Sequence, residues 1–348
     1  MVLTQRQQTI LDIVAAQTSP LSISGIRVHL PTDISIPTLN RDLAALVRAN
    51  CLLKTGQGRG VAYKLSPSYR IFAPIPPGSY FERDPDARKA LTGFNHDLIH
   101  ILAGISLFTP AEQTKLESLR QEYQANIAGY PESLHRKETE RLTIELSWKS
   151  SQIEGNTYSL LETERLFLEK QEAEGKPHDD AIMLLNHKEA LQYILAHEDI
   201  GRIFNLTLLE DIHSLLIKDL GVSRNIRTRT VGITGTAYRP IDNEYQIREA
   251  TEEMCALINT KQNGFEKALL AVALISYIQP FEDGNKRAAR LAGNTLLMAY
   301  GACPLSYRSV DSLDYKKAML LLYEQNNLAF FKEIFIDQVA FSVKNYFT

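Results

Sequence analysis

Between Phe265 and Ile278 the chain is apolar on nearly every face of a helix. A helix with no polar face has to be surrounded by other elements. The run therefore predicts a buried central helix, and 348 residues leave ample chain to enclose it. The longest apolar stretch, Ala268 to Ile278, is too short to span a bilayer, so no membrane partner is expected. At 44% hydrophobic and 23% charged residues the chain reads as globular rather than disordered. Pro280 displaces Gln279 from the helical region and ends the run. Asp283-Gly284-Asn285 suits a tight turn, and a second helix is predicted from about Lys286 to Tyr300, with Gly301 as C-cap.

A turn that feeds a helix N-terminus presents backbone N–H groups and the positive end of a dipole, which together attract anions. Lys286 and Arg287 add charge there, and Arg290 shares a face with Asn294. A basic first turn opposes the helix dipole unless an anion offsets it. Asp283 could hold Mg²⁺ between phosphate oxygens. On these residues alone, a phosphate loop and an ordinary turn before a solvated basic helix both remain open.

The segment Gln279-Pro280-Phe281-Glu282-Asp283-Gly284-Asn285-Lys286-Arg287-Ala288-Ala289-Arg290 resembles the Fic motif, H-P-F-x-D/E-G-N-G/K-R-x-x-R. The resemblance extends over residues 85–348. It implies a mainly α, all-helical Fic fold with a β-hairpin flap, and transfer of AMP from ATP to a target-protein hydroxyl. Asp283 would then bind Mg²⁺. Gly284, Asn285, Lys286, Arg287 and Arg290 would hold the phosphates, and Phe281 would anchor the loop. Asn326 would lie near the adenine. Thr234-Gly235-Thr236, in a Thr- and Gly-rich stretch at 224–247, would be the flap that docks a target segment by strand addition.

Two positions depart from the motif. Gln279 stands where the family has the histidine that takes the hydroxyl proton. A histidine pKa of about 6.5 suits that task, whereas glutamine has no titratable nitrogen. Losing a general base costs roughly 10²–10⁴ in rate. None of His96, His100, His187 or His213 has the motif spacing to replace it. Lys286 replaces the glycine of the strictest motif, and Doc-like relatives with lysine there transfer phosphate. Three readings follow: an impaired nucleotidyltransferase, a phosphate-transfer enzyme, and a silent nucleotide-binding module that regulates transcription.

Upstream, Leu142, Leu146 and Ile153 fall on one helical face, and Ser150 and Glu154 flank it at i, i+4. Gly155 is the expected C-cap. A glutamate in the last turn opposes the dipole and calls for a cation. The segment from Ser150 to Gly155 resembles the family's inhibitory helix, [S/T]-x-x-x-E-[G/N], expected over about 138–155. The resemblance implies that Glu154 pairs with Arg290 and displaces the γ-phosphate.

Residues 1–68 hold seven Lys/Arg against three Asp, a net +4, while the remainder carries −7. A basic head on an acidic body points to a polyanion partner. Ser22 can cap a short second helix, and Leu39, Leu43, Leu46 and Val47 give a third its apolar stripe. A glycine-rich turn at 56–60 then precedes alternating Val61, Tyr63 and Leu65. Three helices and a glycine-tipped hairpin resemble a winged helix-turn-helix, an α+β domain. The resemblance places Thr38, Asn40 and Arg41 at DNA bases and Arg59 at a phosphate; docking to protein is the alternative. Pro67, Pro74, Pro76 and Pro77 mark a linker, assigned to 69–84, before a Fic domain at 85–348 with its core at 205–300. Three scattered cysteines without a CxxC pattern and no apolar leader suggest the cytoplasm. A homodimer stays open.

Overall fold

A computed structural model of the chain describes residues 3–17 and 19–348, apart from the side chains of Arg59 and Glu198. The chain divides into two compact units, 1–74 and 75–348.

The first unit runs α1 (Gln5–Ala15), β1 (Leu21–Ser22), α2 (Ile23–Val28), α3 (Ile36–Arg48), β2 (Leu52–Thr55), β3 (Ala62–Leu65) and α4 (Pro67–Phe72). Its sheet has the order β1-β3-β2 and is antiparallel, with Leu21 and Lys54 both opposite Tyr63. Ser22 caps α2 through the Gly25 amide, as its position in the sequence suggests. The stripe of α3 is buried at Leu39, Leu43 and Leu46, against Ile10, Val14 and Tyr63. Asn40 and Arg41 are exposed. Thr38 is only half-exposed, and its hydroxyl is engaged by the α3 N-cap, Ser35, at 2.9 Å. The expected Arg59 contact lies on a side chain outside the described residues.

The second unit is helical: α5 (Pro77–Phe81), α6 (Asp97–Ala103), α7 (Pro110–Ala128), α8 (Glu132–Ile153), α9 (Leu160–Glu169) and α10 (His178–Leu195). It continues with α11 (Leu206–Leu216), α12 (Glu244–Thr260), α13 (Gly264–Ile278), α14 (Asn285–Ala299), α15 (Ser312–Gln325) and α16 (Ala329–Asn345). No helix among the described residues is long and apolar enough to cross a membrane. Every residue of α13 from Phe265 to Ile278 is buried, because α12, α14 and α15 pack around it. Gly293 lets α14 approach closely, since a Cβ there would come within 2.7 Å of the Val272 side chain.

Two expectations need correction. The β-hairpin flap is not a hairpin. Residues 224–243 form no strand, and their one ladder contact is a parallel bridge from Arg239 to Gly93. Their backbone is tied elsewhere: the Arg227 amide donates to Pro280 O at 3.0 Å and the Arg239 amide to Thr92 O at 3.0 Å. Nor is 69–84 a single linker. Residues 67–72 are helical in the first unit, whereas Tyr80 of α5 donates to Glu324 of α15 at 2.7 Å in the second.

Candidate functional site

The loop between α13 and α14 is built on its own backbone. Gln279 ends α13 in the left-handed region, at φ 53°. That conformation is costly for a residue with a Cβ. It is held by the Gln279 amide, which donates to Ile275 O, and by Arg227 Nε, which donates to Gln279 O at 2.7 Å. Phe281 is fully buried and stacks on His213 with ring centroids 3.6 Å apart. His213 Nε2 donates to Asp283 O at 2.9 Å. Burial, followed by the nearby Arg287 charge, pushes the His213 pKa down to about 4, so the ring is neutral at neutral pH. Asn285 closes the turn: its Oδ1 accepts from the Phe281 amide at 2.8 Å, and its Nδ2 donates to Phe281 O and to Gln279 Oε1.

Gly284 is the N-cap of α14, at φ 78°, and has no side chain with which to cap the helix. The first-turn amides of α14 are therefore left for an outside acceptor. A cavity of about 530 Å³ opens over this turn. Gly284, Asn285, Lys286, Arg287, Asp283 and Gln279 line its floor, with Glu154 at one side and Val231, Ile233, Met319 and Leu320 as apolar walls. A second cavity, of about 470 Å³ and lined by Thr139, Phe167 and Lys188, contains none of the residues singled out in the sequence.

Glu154 is the C-cap of α8, one residue before the expected Gly155, which follows at φ 105°. Its carboxylate lies 3.0 Å from the Arg290 guanidinium and 3.3 Å from Lys286 Nζ. Arg290 is fully buried and also donates to Ser150 Oγ at 2.9 Å and to Ser150 O at 2.7 Å. It therefore satisfies a terminal carbonyl of α8 and places its charge at the negative end of that helix dipole. Burial opposes ionisation of Glu154, but Arg290 and Lys286 outweigh it and hold the carboxyl below the usual range.

Gln279 is engaged at both ends of its amide: Nε2 donates to Ser276 O at 2.6 Å, and Oε1 accepts from Asn285. Asp283 is two-thirds exposed at the cavity mouth, 3.1 Å from Arg287. Thr234 lines the cavity, but Gly235 and Thr236 do not. Gly235 O accepts from Arg88 Nη2 at 2.5 Å, and Thr236 Oγ1 accepts from the Tyr238 amide at 3.1 Å. Asn326 is not in the cavity wall either. Its side chain is spent in the core, donating to Tyr277 Oη at 3.0 Å and accepting from Asn95 at 2.8 Å.

Arg227 was not apparent from the sequence. It is 1% exposed, and its guanidinium donates to the carbonyls of Gln279, Arg229 and Ile241, so it ties both ends of the 224–243 segment to the motif loop. Nothing in Ile226-Arg227-Thr228 marks it in advance, because its acceptors are backbone groups.

Residues 203–297, which contain this loop and α13, match the Fic/DOC family. The match lies within the helical unit. Among curated relatives, a protein adenylyltransferase Fic of Nematostella vectensis is 29% identical over 182 residues, 48% of this chain and 40% of that protein. An Aedes aegypti protein of the same name is 28% identical over 212 residues, again 40% of its length. The matches thus span less than half of these relatives. Among solved structures, a Fic family protein from Desulfovibrio desulfuricans G20 superposes with a TM-score of 0.58 at 17% identity, covering 69% of this chain and 74% of that one. At that identity the likeness concerns the fold, and the Fic fold is therefore that of the helical unit.

Proposed function

We propose that the Fic/DOC domain binds ATP with Mg²⁺ over the 283–290 loop and that Glu154 latches this site. The observation that carries the reading is the pair of ion contacts from Glu154 to Arg290 and Lys286 across an uncapped helix N-terminus. Arg287 and the α14 amides would take phosphate oxygens, and the apolar wall of Val231, Ile233 and Met319 suits a base. Among the described residues no cluster of three or more His, Cys, Asp or Glu could hold a metal alone, so Asp283 would share Mg²⁺ with the phosphates. Bound there, the ion would neutralise phosphate charge. With Glu154 in place, Arg290 Nη1 is committed to its carboxylate rather than to a phosphate.

The reaction class is AMP transfer to a protein hydroxyl, as the names of the relatives suggest, impaired because Gln279 cannot accept a proton. The backbone of 231–234 would dock the target segment. Lys286, paired with Glu154, acts as part of the latch, and phosphate transfer needs it released. A second reading, a nucleotide-binding module without catalysis, is favoured by the Gln279 amide being committed to Ser276 and Asn285. In either case the basic first unit is a candidate DNA reader, supported by the exposed Asn40 and Arg41 on α3.

Calorimetry with ATP and Mg²⁺ separates binding from latch. Arg287→Ala should weaken binding about tenfold or more through loss of a charge-assisted contact, and Glu154→Gly should tighten it. Equal affinities for wild type and Arg287→Ala sink the site. Gln279→His/Glu154→Gly with α- and γ-labelled ATP then decides the chemistry. Label from the α position supports AMP transfer, label from the γ position phosphate transfer, and no label the silent module.

A further inference from the structure

The segment from Pro77 to Asn95 lies along one side of the helical unit and reaches both the 224–243 segment and the end of α15. Arg88 is its centre. It is 9% exposed, and its guanidinium lies over the rings of Phe81 (5.0 Å) and Tyr80 (5.9 Å). Its ionic partner, Glu324, is 3.5 Å away, longer than a hydrogen bond. The short contact, at 2.5 Å, is to the carbonyl of Gly235. Glu324 is held in turn by Tyr80 Oη at 2.7 Å. Three residues on from Gly235 the chain enters the core, where Tyr238 Oη donates to Tyr277 O at 3.0 Å. Further along, Arg239 donates to Thr92 O and bridges Gly93.

Residues 231–234 are the contrast. They line the cavity, and among the described residues their backbone N–H and C=O groups bond to no other group. A four-residue backbone with open polar groups, fastened beyond its far end, is what strand addition requires. A loose segment of this length would have to be ordered at each binding event, and that entropy would be lost from affinity.

We propose that Arg88 is a positioning residue for an extended peptide segment: by gripping the Gly235 carbonyl it sets the turn that presents the backbone of residues 231–234 to the cavity. This rests on the reading of 231–234 as the docking edge. The charge, rather than the shape, of residue 88 matters. Methionine would still fill the space against Tyr80 and Phe81 but would leave Gly235 O without its donor and Glu324 without its cation.

The test is amide hydrogen exchange on the full chain. Arg88→Met should raise exchange at the hydrogen-bonded amides of Tyr238 and Arg239 about tenfold or more, while α13 and α14 keep wild-type rates. Arg88→Lys retains the charge without the fork, so it should show the same local change to a smaller degree; it serves as the test if the methionine variant does not fold. In the Gln279→His/Glu154→Gly background, Arg88→Met should raise the protein concentration for half-maximal self-labelling about fivefold and leave the maximal rate within about twofold. Unchanged exchange at Tyr238 and Arg239, or a rise spread evenly over α13 and α14, overturns the proposal. Absence of labelling in the background protein overturns the transfer reading instead, and the exchange result still decides Arg88.

Discussion

Each side chain at this site is defined by what it can accept or donate. Glu154 is ionised because two cations face it, so its ion pairs with Arg290 and Lys286 persist through the neutral range and would weaken only as pH falls below the ordinary carboxylate value. Gln279 keeps the geometry of a loop residue and lacks the proton chemistry of a base. His187 behaves differently. It is fully buried on α10, and neither ring nitrogen has a hydrogen-bond partner among the described residues. Burial, then the charges of Arg290 and Arg287, push its pKa down to about 3. The unfolded chain takes up the proton near 6.5, so acid favours unfolding, and the loss grows as pH falls from 6.5 to about 3. At pH 5 this costs about 2 kcal/mol. His187→Leu should therefore narrow the difference in urea stability between pH 7 and pH 5 by about 2 kcal/mol. An unchanged difference would show that His187 is not held neutral.

At the level of elements, α8 and the α13–α14 pair form the working frame. Two polar residues buried in α8 are held by distant segments: Glu145 accepts from Arg308 at 2.9 Å and from Tyr346, and Ser150 receives Arg290. A helix anchored in this way keeps Glu154 at a constant height over the loop. On the other side, Gly293 permits the close contact of α14 with α13. Gly293→Ala would drive a methyl into Val272, and overpacking of this kind costs about 1–3 kcal/mol. Because α14 also carries Arg287 and Arg290, the same displacement should weaken ATP binding. Urea melts and calorimetry on this variant check both effects, and wild-type values in both would mean that α14 relaxes without moving its arginines.

For the whole molecule, the two units differ in charge. The first carries the basic excess, although of its eight Lys/Arg residues Arg6 is paired with Asp42 at 2.5 Å and Arg27 with Asp33 at 2.7 Å. The exposed Arg41 on α3 remains for a partner. The full chain should bind duplex DNA weakly, with affinity falling steeply with salt. Arg41→Glu should abolish the shift of labelled duplex at low salt. If wild type shows no shift there, the first unit docks protein rather than DNA.

Much was legible in the sequence because its signals are local or periodic. The all-apolar run at 265–278, the break at Pro280, the Asp283-Gly284-Asn285 turn and the stripe of α3 each follow from spacing along one element, and each is found where expected. The pairing of Glu154 with Arg290 was anticipated through motif resemblance, but the second contact, from Lys286, was not. Three of the expected site residues bond outside the cavity wall, for one reason. Asn326, Gly235 and Thr236 were assigned by likeness to a site whose walls come from distant segments, and whether a side chain enters that cavity depends on what it bonds instead. Tertiary structure alone decided that Asn326 braces Tyr277, that 224–243 is fastened by Arg227 and Arg88 rather than by its own ladder, and that residues 77–95 belong to the helical unit. In the Arg227 and Arg88 contacts the acceptor is a backbone carbonyl far along the chain. Every residue offers the same carbonyl, so no sequence pattern can specify which one is used.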